Sequence, residues 1–108
     1  MRRGEVWWAE LPEPVGRRPV VLVSRDEAYL VRESVTVAEV TSRVRGIRSE
    51  VPLGKSEGLS RSSVVNADNL QTLRKSRLVS RVGALSAQKS KALDAALAYA
   101  LKLRLSDD

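Results

Sequence analysis

The first candidate for chemistry in this 108-residue sequence is a pair of adjacent arginines, Arg17 and Arg18. They stand between a loop with two prolines and a glycine (12–16) and an apolar run, Val20–Ser24, which is typical of a buried strand. A guanidinium at the rim of a sheet can hold a phosphate through two parallel hydrogen bonds. Pro19 restricts Arg18 to extended backbone. The motif is therefore a candidate phosphate site, although two solvated loop arginines are the more ordinary interpretation.

A second candidate is Thr41, which ends the β-branched run Val35–Thr41. Strand alternation places Glu39 on the same face, and Arg43 follows closely along the chain. A hydroxyl between a carboxylate and a guanidinium is able to bind or activate a phosphodiester. Taken alone, Thr41 is more simply interpreted as an ordinary strand residue beside an exposed ion pair.

Other polar and aromatic residues suggest contacts to a nucleic acid. A basic turn around Gly46 is a plausible clamp for a phosphate backbone, and a polar run that follows it can hydrogen-bond base edges or simply form turns. Trp7 and Trp8 point to opposite faces of the first predicted strand, so one of them is free to stack on a base. The candidate nucleic-acid-binding residues are Arg17, Arg43, Arg45, Arg48, Asn66, Asp68, Asn69 and Gln71.

Composition narrows the chemistry further. The sequence has no cysteine and no histidine, which excludes disulfides, thiolate metal sites, cysteine nucleophiles and any Ser-His-Asp triad. The net charge is +6, and residues 41–81 hold nine basic and three acidic side chains. A localised basic surface indicates a polyanionic partner, most often nucleic acid. We find no hydrophobic leader or membrane span and therefore expect a cytoplasmic protein.

The hydrophobic pattern predicts one domain over residues 1–108, with five to seven short strands before one long helix. Ser86 is a candidate N-cap, and an Ala/Leu stripe at helical spacing follows it. The expected fold is mainly β with a C-terminal helix, a small curved sheet or barrel closed by that helix. Strands are predicted at 4–11, 20–24, 35–41, 50–53, 63–66, 70–73 and 78–82, with a short helix or loop at 25–33.

Three blocks in order give the chain a resemblance to the MazF/PemK family of toxin–antitoxin endoribonucleases. The first is Arg3–Trp7 (RGEVW), and the second is Gly16–Ser24, around Arg18-Pro19-Val20. The third combines Val65, Asp68, Thr72, Lys75, Arg77 and Leu78. The resemblance extends over nearly the whole chain.

The resemblance implies an SH3-like barrel of the MazF/PemK/CcdB type, acting as a homodimer that a cognate antitoxin protein blocks. It implies cleavage of single-stranded RNA, usually mRNA, at a short motif, without a metal or other cofactor, to give a 2′,3′-cyclic phosphate and a 5′-hydroxyl. The family's catalytic arginine and threonine correspond to Arg18 and Thr41. The general base is open, and Glu39 and Glu50 are the candidates.

Some positions depart from the family pattern. The loop 12–16 is short, Glu50 stands where several relatives have a histidine, and Gln71 replaces an arginine. These departures affect the expected RNA contacts more than the expected reaction. Two other functions stay open at this stage: an SH3-like module that binds RNA without cutting it, and a protein-directed toxin of the gyrase-poison type.

Overall fold

The computed structural model describes residues 1–104, and within them an antiparallel sheet of six strands carries a C-terminal helix. The strand order across the sheet is β4-β5-β3-β2-β1-β6. The predicted mainly β fold with a closing helix is confirmed. The strands are β1 Glu5–Glu10, β2 Arg17–Leu22, β3 Ser34–Thr41, β4 Glu50–Leu53, β5 Ser63–Arg74 and β6 Leu78–Ala84; the helices are α1 Ala28–Val31 and α2 Ala87–Leu101, with 3-10 turns at Lys55–Glu57 and Lys75–Arg77.

Strand β5 corrects the sequence prediction, which divided it into 63–66 and 70–73. Glu39 of β3 pairs with Asn66, whereas its neighbour Ala38 pairs with Leu70, so residues 67–69 bulge out of the ladder without ending the strand. The bulge is held locally, because the Ala67 N–H donates to the Ser49 carbonyl at 2.7 Å. The polar run is therefore a projection from a continuous strand and not a turn between two strands.

The two faces of the sheet bury separate clusters. Helix α2 packs on one face, where Leu93, Ala96 and Leu97 join residues of β1 to β5. Helix α1 packs on the other face, where Tyr29 lies among Val20, Leu22 and their neighbours. The Ser86 cap is confirmed, since its hydroxyl accepts the Lys89 N–H at 3.1 Å. No helix within residues 1–104 is long and apolar enough to cross a membrane.

The apolar stripe of α2 is shorter than predicted. Ala92 and Leu101 belong to the predicted stripe, but both are exposed, and Leu101 retains 52% of its surface. Ala92 directly precedes the first buried residue, Leu93, and Leu101 is the last residue of the helix, so the buried positions span only 93–98. The sheet is therefore covered by only about two turns of α2.

The curved sheet closes where the 3-10 turn after β4 meets β6. Glu57 is 2% exposed, forms an ion pair with Lys89 of α2 at 3.0 Å and accepts the Gly54 N–H at 2.7 Å. Gly58 follows with a φ of +90°, and a Cβ there would overlap the Val82 carbonyl. A Cβ on Gly83 would likewise overlap the Glu57 carbonyl. Closure therefore depends on two glycines that let the backbones touch.

Replacing Gly83 by alanine tests this closure. We expect Gly83→Ala to lower the free energy of unfolding by about 1–3 kcal/mol or more, because the new methyl overlaps rigid backbone. Urea denaturation measures the change. Gly54→Ala is the control, since a Cβ at Gly54 has open space and its φ of −170° suits any residue. Equal stability of the two variants would contradict a tight contact at Gly83.

Candidate functional site

The site begins where β2 separates from β3. Strand β2 starts at Arg17, three residues earlier than predicted, because 17–19 pair with β1. Pairing with β3 covers only Val20–Leu22. The Val23 N–H donates to Thr36 of the β3 strand at 3.1 Å, and alternate residues face the same neighbour, so Pro19 stands where another donor to β3 belongs. Proline has no N–H, and the ladder therefore stops at Val20.

The interrupted ladder sets Arg18 and Thr41 against each other. Val20 pairs with Glu39, and the same register continued by two residues would place Arg18 opposite Thr41. The two residues are not paired, and a cleft opens between their strands. Both side chains are half-buried, and both line each of two adjoining pockets of about 400 and 160 Å³. The two predicted catalytic residues thus stand together at the border between the pockets.

A carboxylate and an amide orient Arg18. One guanidinium nitrogen lies 3.4 Å from the Glu39 carboxylate, and the Gln71 side-chain amide donates to the other Glu39 oxygen at 2.7 Å. The Glu39 side chain is 20% exposed and that of Arg18 is 37% exposed. Glu39 therefore has both oxygens engaged and leaves part of the Arg18 fork facing the cleft.

Thr41 and Glu50 organise the basic turn that follows β3. The Thr41 hydroxyl accepts the Arg43 N–H at 3.1 Å. The Glu50 carboxylate accepts the N–H groups of Arg45 and Gly46 at 2.9 to 3.2 Å. Glu50 thus holds the backbone of the turn, an arrangement that favours a positioning role over proton transfer.

Five of the other predicted binding residues lie in one or the other of the two pockets. Arg17 lines the larger pocket, whereas Arg43, Arg45, Asn66 and Asn69 line the smaller one.

Three predicted binding residues have partners elsewhere. Asp68 accepts the Ser49 hydroxyl at 2.7 Å, and Gln71 is committed to Glu39. Arg48 is not brought to either pocket, because its guanidinium lies 4.4 Å from the ring centre of Tyr99 on α2. The arginines of the basic turn therefore point in two directions: Arg43 and Arg45 face the cleft, and Arg48 faces Tyr99.

Charge in the cleft is one-sided. Among the described residues that line the two pockets there is no carboxylate. Two carboxylates contact lining residues without lining the pockets themselves: Glu39, which Arg18 and Gln71 occupy, and Glu50, which accepts the Arg45 N–H. Such a cleft repels cations and attracts an extended anion. The arginines that line it are Arg17, Arg18, Arg43, Arg45 and Arg61.

Comparison with known proteins agrees with this geometry. Residues 2–101 match the model of the PemK-like, MazF-like toxins of type II toxin–antitoxin systems. The chain belongs to this family. It is 42% identical over 100 residues to a probable endoribonuclease MazF5 of Mycobacterium tuberculosis, covering 92% of this chain and 91% of that protein. It is 34% identical over 111 residues to the endoribonuclease MazF of Staphylococcus saprophyticus, covering 95% and 92%.

Solved structures of MazF toxins share the fold. The Mycobacterium tuberculosis toxin MazF-mt6 superposes with a TM-score of 0.87 at 35% identity, over 94% of this chain and 99% of that one. A mycobacterial endoribonuclease solved in complex with its cognate antitoxin gives 0.86 at 30% identity, over 98% and 99%. The predictions of the MazF/PemK family, of its fold and of an endoribonuclease toxin are confirmed by these relatives.

Sequence reasoning missed part of this toxin's cleft. Leu59 and Arg61, in the loop after the 3-10 turn, line the larger pocket together with Trp8. The sequence shows Leu59 and Arg61 only as ordinary loop residues. The sequence did indicate that Trp7 and Trp8 face opposite sides of the strand, but the alternation left open which of them is available for contact. Trp7 packs against the cluster under α1, and Trp8 is the one at the cleft.

The role of Glu50 can be tested without any substrate. In Glu50→Ala we expect the amide hydrogens of Arg45 and Gly46 to exchange about tenfold faster or more, because each loses a charged acceptor. Hydrogen exchange followed by NMR measures this. Glu33→Ala is the control, since Glu33 is exposed and its side chain pairs with Arg74 at 3.7 Å, away from the basic turn. Unchanged exchange at both amides would show that Glu50 does not hold the turn.

Proposed function

We propose that this MazF/PemK-family toxin cleaves single-stranded RNA at a short motif through Arg18 and Thr41, without a metal ion. The observation that carries the proposal is that, among residues 1–104, Arg18 and Thr41 are the two that line both pockets of a cleft rich in arginine. A phosphodiester bound between them would have a nucleotide in each pocket. We take residues 1–108 to act as one toxin domain.

The proposed reaction uses the RNA's own nucleophile. The 2′-oxygen attacks the adjacent phosphorus, and the bond from phosphorus to the 5′-oxygen breaks. The products are a 2′,3′-cyclic phosphate and a 5′-hydroxyl. The protein must align the attacking oxygen and stabilise the negative charge that develops on the phosphorane.

Arg18 is suited to stabilise that charge. Its guanidinium carries five N–H donors in a planar fork, and Glu39 fixes its direction while leaving donors free towards the cleft. A donor that is already in place needs no reorganisation as the reaction proceeds. Glu39 is then a positioning residue for Arg18, and Gln71 in turn positions Glu39.

Thr41 is suited to orient the attacking group. Its hydroxyl already accepts the Arg43 N–H, which leaves its own hydrogen free to donate to a phosphate or 2′-oxygen. Because Glu39 and Glu50 are both engaged by other donors, we assign neither as the general base. In this mechanism the 2′-hydroxyl proton leaves to water, water also protonates the leaving 5′-oxygen, and the rate is modest.

The remaining arginines and amides would hold the RNA on either side. Arg43, Arg45, Asn66 and Asn69 offer donors to phosphates and bases in the smaller pocket, and Arg17 does so in the larger one. Arg48, Asp68 and Gln71 act indirectly, through Tyr99, Ser49 and Glu39 respectively.

Solved complexes of family members suggest which proteins this chain binds. MazF structures from Deinococcus radiodurans were solved with MazE, and a mycobacterial relative with its cognate antitoxin. We propose that this chain likewise forms a homodimer and is neutralised by an antitoxin protein. An acidic antitoxin segment would satisfy the same guanidinium groups as RNA. Since mRNA is the proposed substrate, we place the toxin in the cytoplasm.

Loss of Arg18 provides the direct test. We expect Arg18→Ala to reduce cleavage of a long, weakly structured RNA in EDTA by about 10²–10³-fold, as the loss of a preorganised oxyanion donor does. Mapped 5′-hydroxyl ends from the wild type identify the reaction. The matched control is Arg74→Ala, an exposed arginine of β5 that pairs with Glu33 outside the cleft. Near-full cleavage by Arg18→Ala would refute the assignment.

The pH dependence of the cleavage rate distinguishes a positioning role for Glu39 from a role as general base. As a positioning residue, Glu39→Gln should slow cleavage about tenfold (~1.4 kcal/mol) and leave the shape of the pH–rate profile unchanged. Gln71→Leu should give a smaller loss with the same profile, because it frees Glu39 without removing the carboxylate. If Glu39 is instead the general base, the glutamine variant will lose the acidic limb of the profile while Gln71→Leu retains it.

A further inference from the structure

The larger pocket beside Arg18 and Thr41 has a lining that phosphate binding does not require. Its volume of about 400 Å³ lies in the usual range of small-molecule sites, roughly 300–1,000 Å³. A phosphate calls for charge and donors, whereas an aromatic ring and a leucine suit a flat, partly apolar group. Besides the catalytic pair, the lining consists mainly of Trp8, Pro19, Leu59, Arg17 and Arg61 with three serines, Ser42, Ser60 and Ser63.

We propose that this base pocket, defined by Trp8, Leu59, Arg17 and Arg61, binds one nucleobase next to the cleaved phosphodiester and thereby selects the sequence that is cut. The inference rests on the proposed function, since it needs RNA in the cleft. It goes further by assigning sequence selection to residues outside the reacting pair and by naming the chemical class of the base.

The lining residues favour a nucleobase in the base pocket and the RNA backbone in the smaller pocket. The smaller pocket has only polar lining residues, among them Arg43, Arg45 and Asn66, and its volume of about 160 Å³ offers little room. The base pocket supplies the indole of Trp8, half-buried and fixed on β1 opposite Pro19. A rigid aromatic face is the usual platform for an unpaired base.

The hydrogen-bonding groups favour a base with a carbonyl oxygen. Within residues 1–104 the side chains of Arg17 and Arg61 form no ion pair and donate no hydrogen bond to another described residue, so their donors are free. A guanidinium donates and never accepts. It matches the O6 and N7 acceptors of guanine, the carbonyl oxygens of uracil, or the adjacent O2 and N3 acceptors of an unpaired cytosine, whereas adenine has no carbonyl oxygen and its amino group donates beside N7. We therefore assign a guanine, a uracil or a cytosine to the pocket.

Mapping the cut sites of variants tests the assignment. A long RNA containing all short motifs is cleaved by the wild type, Trp8→Leu and Arg61→Ala, and the new ends are sequenced. We expect a guanine, uracil or cytosine adjacent to the wild-type cut, and in both variants a relaxed preference at that nucleotide with cleavage about 5- to 150-fold slower. Arg61 is exposed, so its removal leaves folding intact even if Trp8→Leu does not fold.

Matched controls separate the base pocket from general effects. Trp7→Leu removes the neighbouring indole, which packs against the other face of the sheet, and Arg74→Ala removes a distant arginine. Both should retain the wild-type preference at that nucleotide. A relaxed preference in the controls as well would overturn the proposal, because it would trace selection to folding or overall charge.

A binding measurement adds a readout independent of the reaction. The probe is an RNA oligomer with the mapped motif and a single 2′-deoxy nucleotide at the cleavage site, which removes the nucleophile. In a Trp7→Phe background the remaining tryptophan is Trp8, and stacking should quench its fluorescence. Replacing the assigned base by an abasic site should abolish the quenching. Quenching that persists without that base would overturn the pocket's occupant.

The proposed function and this inference fail in different ways. If the wild type leaves the RNA intact, or if Arg18→Ala cuts as well as the wild type, the proposed function fails and takes the inference with it. If Arg18→Ala is inactive while Trp8→Leu and Arg61→Ala keep the wild-type motif and rate, only the base pocket is wrong. An adenine at the affected position would refute the assignment to a base with a carbonyl oxygen alone.

Discussion

A missing hydrogen-bond donor at Pro19 is the constraint on which the rest of the cleft depends. Every other residue of β2 offers an N–H, and the residue that lacks one faces β3 at the point where the ladder stops. Because the backbone of Arg18 is extended and anchored only to β1, its side chain projects beside Thr41 without closing the sheet. The proline thus opens the cleft and aims its central guanidinium at the same time.

Several like charges around one cleft are costly for the free protein, since guanidinium groups repel each other where water is partly excluded. Glu39 offsets this cost at one position only. It compensates Arg18 and shares its second oxygen with Gln71, so the arginine is oriented without being withdrawn from the cleft. The other guanidinium groups in the cleft remain available to an anion, and binding one would relieve their repulsion. Arg18 is therefore preorganised, whereas the positive charge of the other arginines in the cleft remains for an anionic ligand to neutralise.

The sequence predicted those features of the fold that depend only on residues close together along the chain. The β-branched run of β3, the proline-marked edge strand β4 and the Ser86 cap each follow from neighbouring residues, and each appears as expected. The bulge at 67–69 does not follow from neighbouring residues. It forms because β5 pairs with β3 on both sides of it and because Ala67 contacts Ser49. Arg18 and Thr41 could be chosen from strand ends and family motifs. Arg61 could not, because nothing in its loop indicates which surface the loop will meet.

That loop joins the stability of the fold to the shape of the cleft. Gly58 touches β6, and the buried Glu57 is tied to Lys89 of α2, so the backbone leaving this contact is fixed. The next residues, Leu59 to Arg61, line the larger pocket opposite the strands that hold Trp8 and Arg18. Glu57 is buried whereas Lys89 is a third exposed, so loss of Lys89 would leave a buried carboxylate without its cation. The Glu57–Lys89 pair therefore ties the position of this pocket wall to the same contact that closes the sheet.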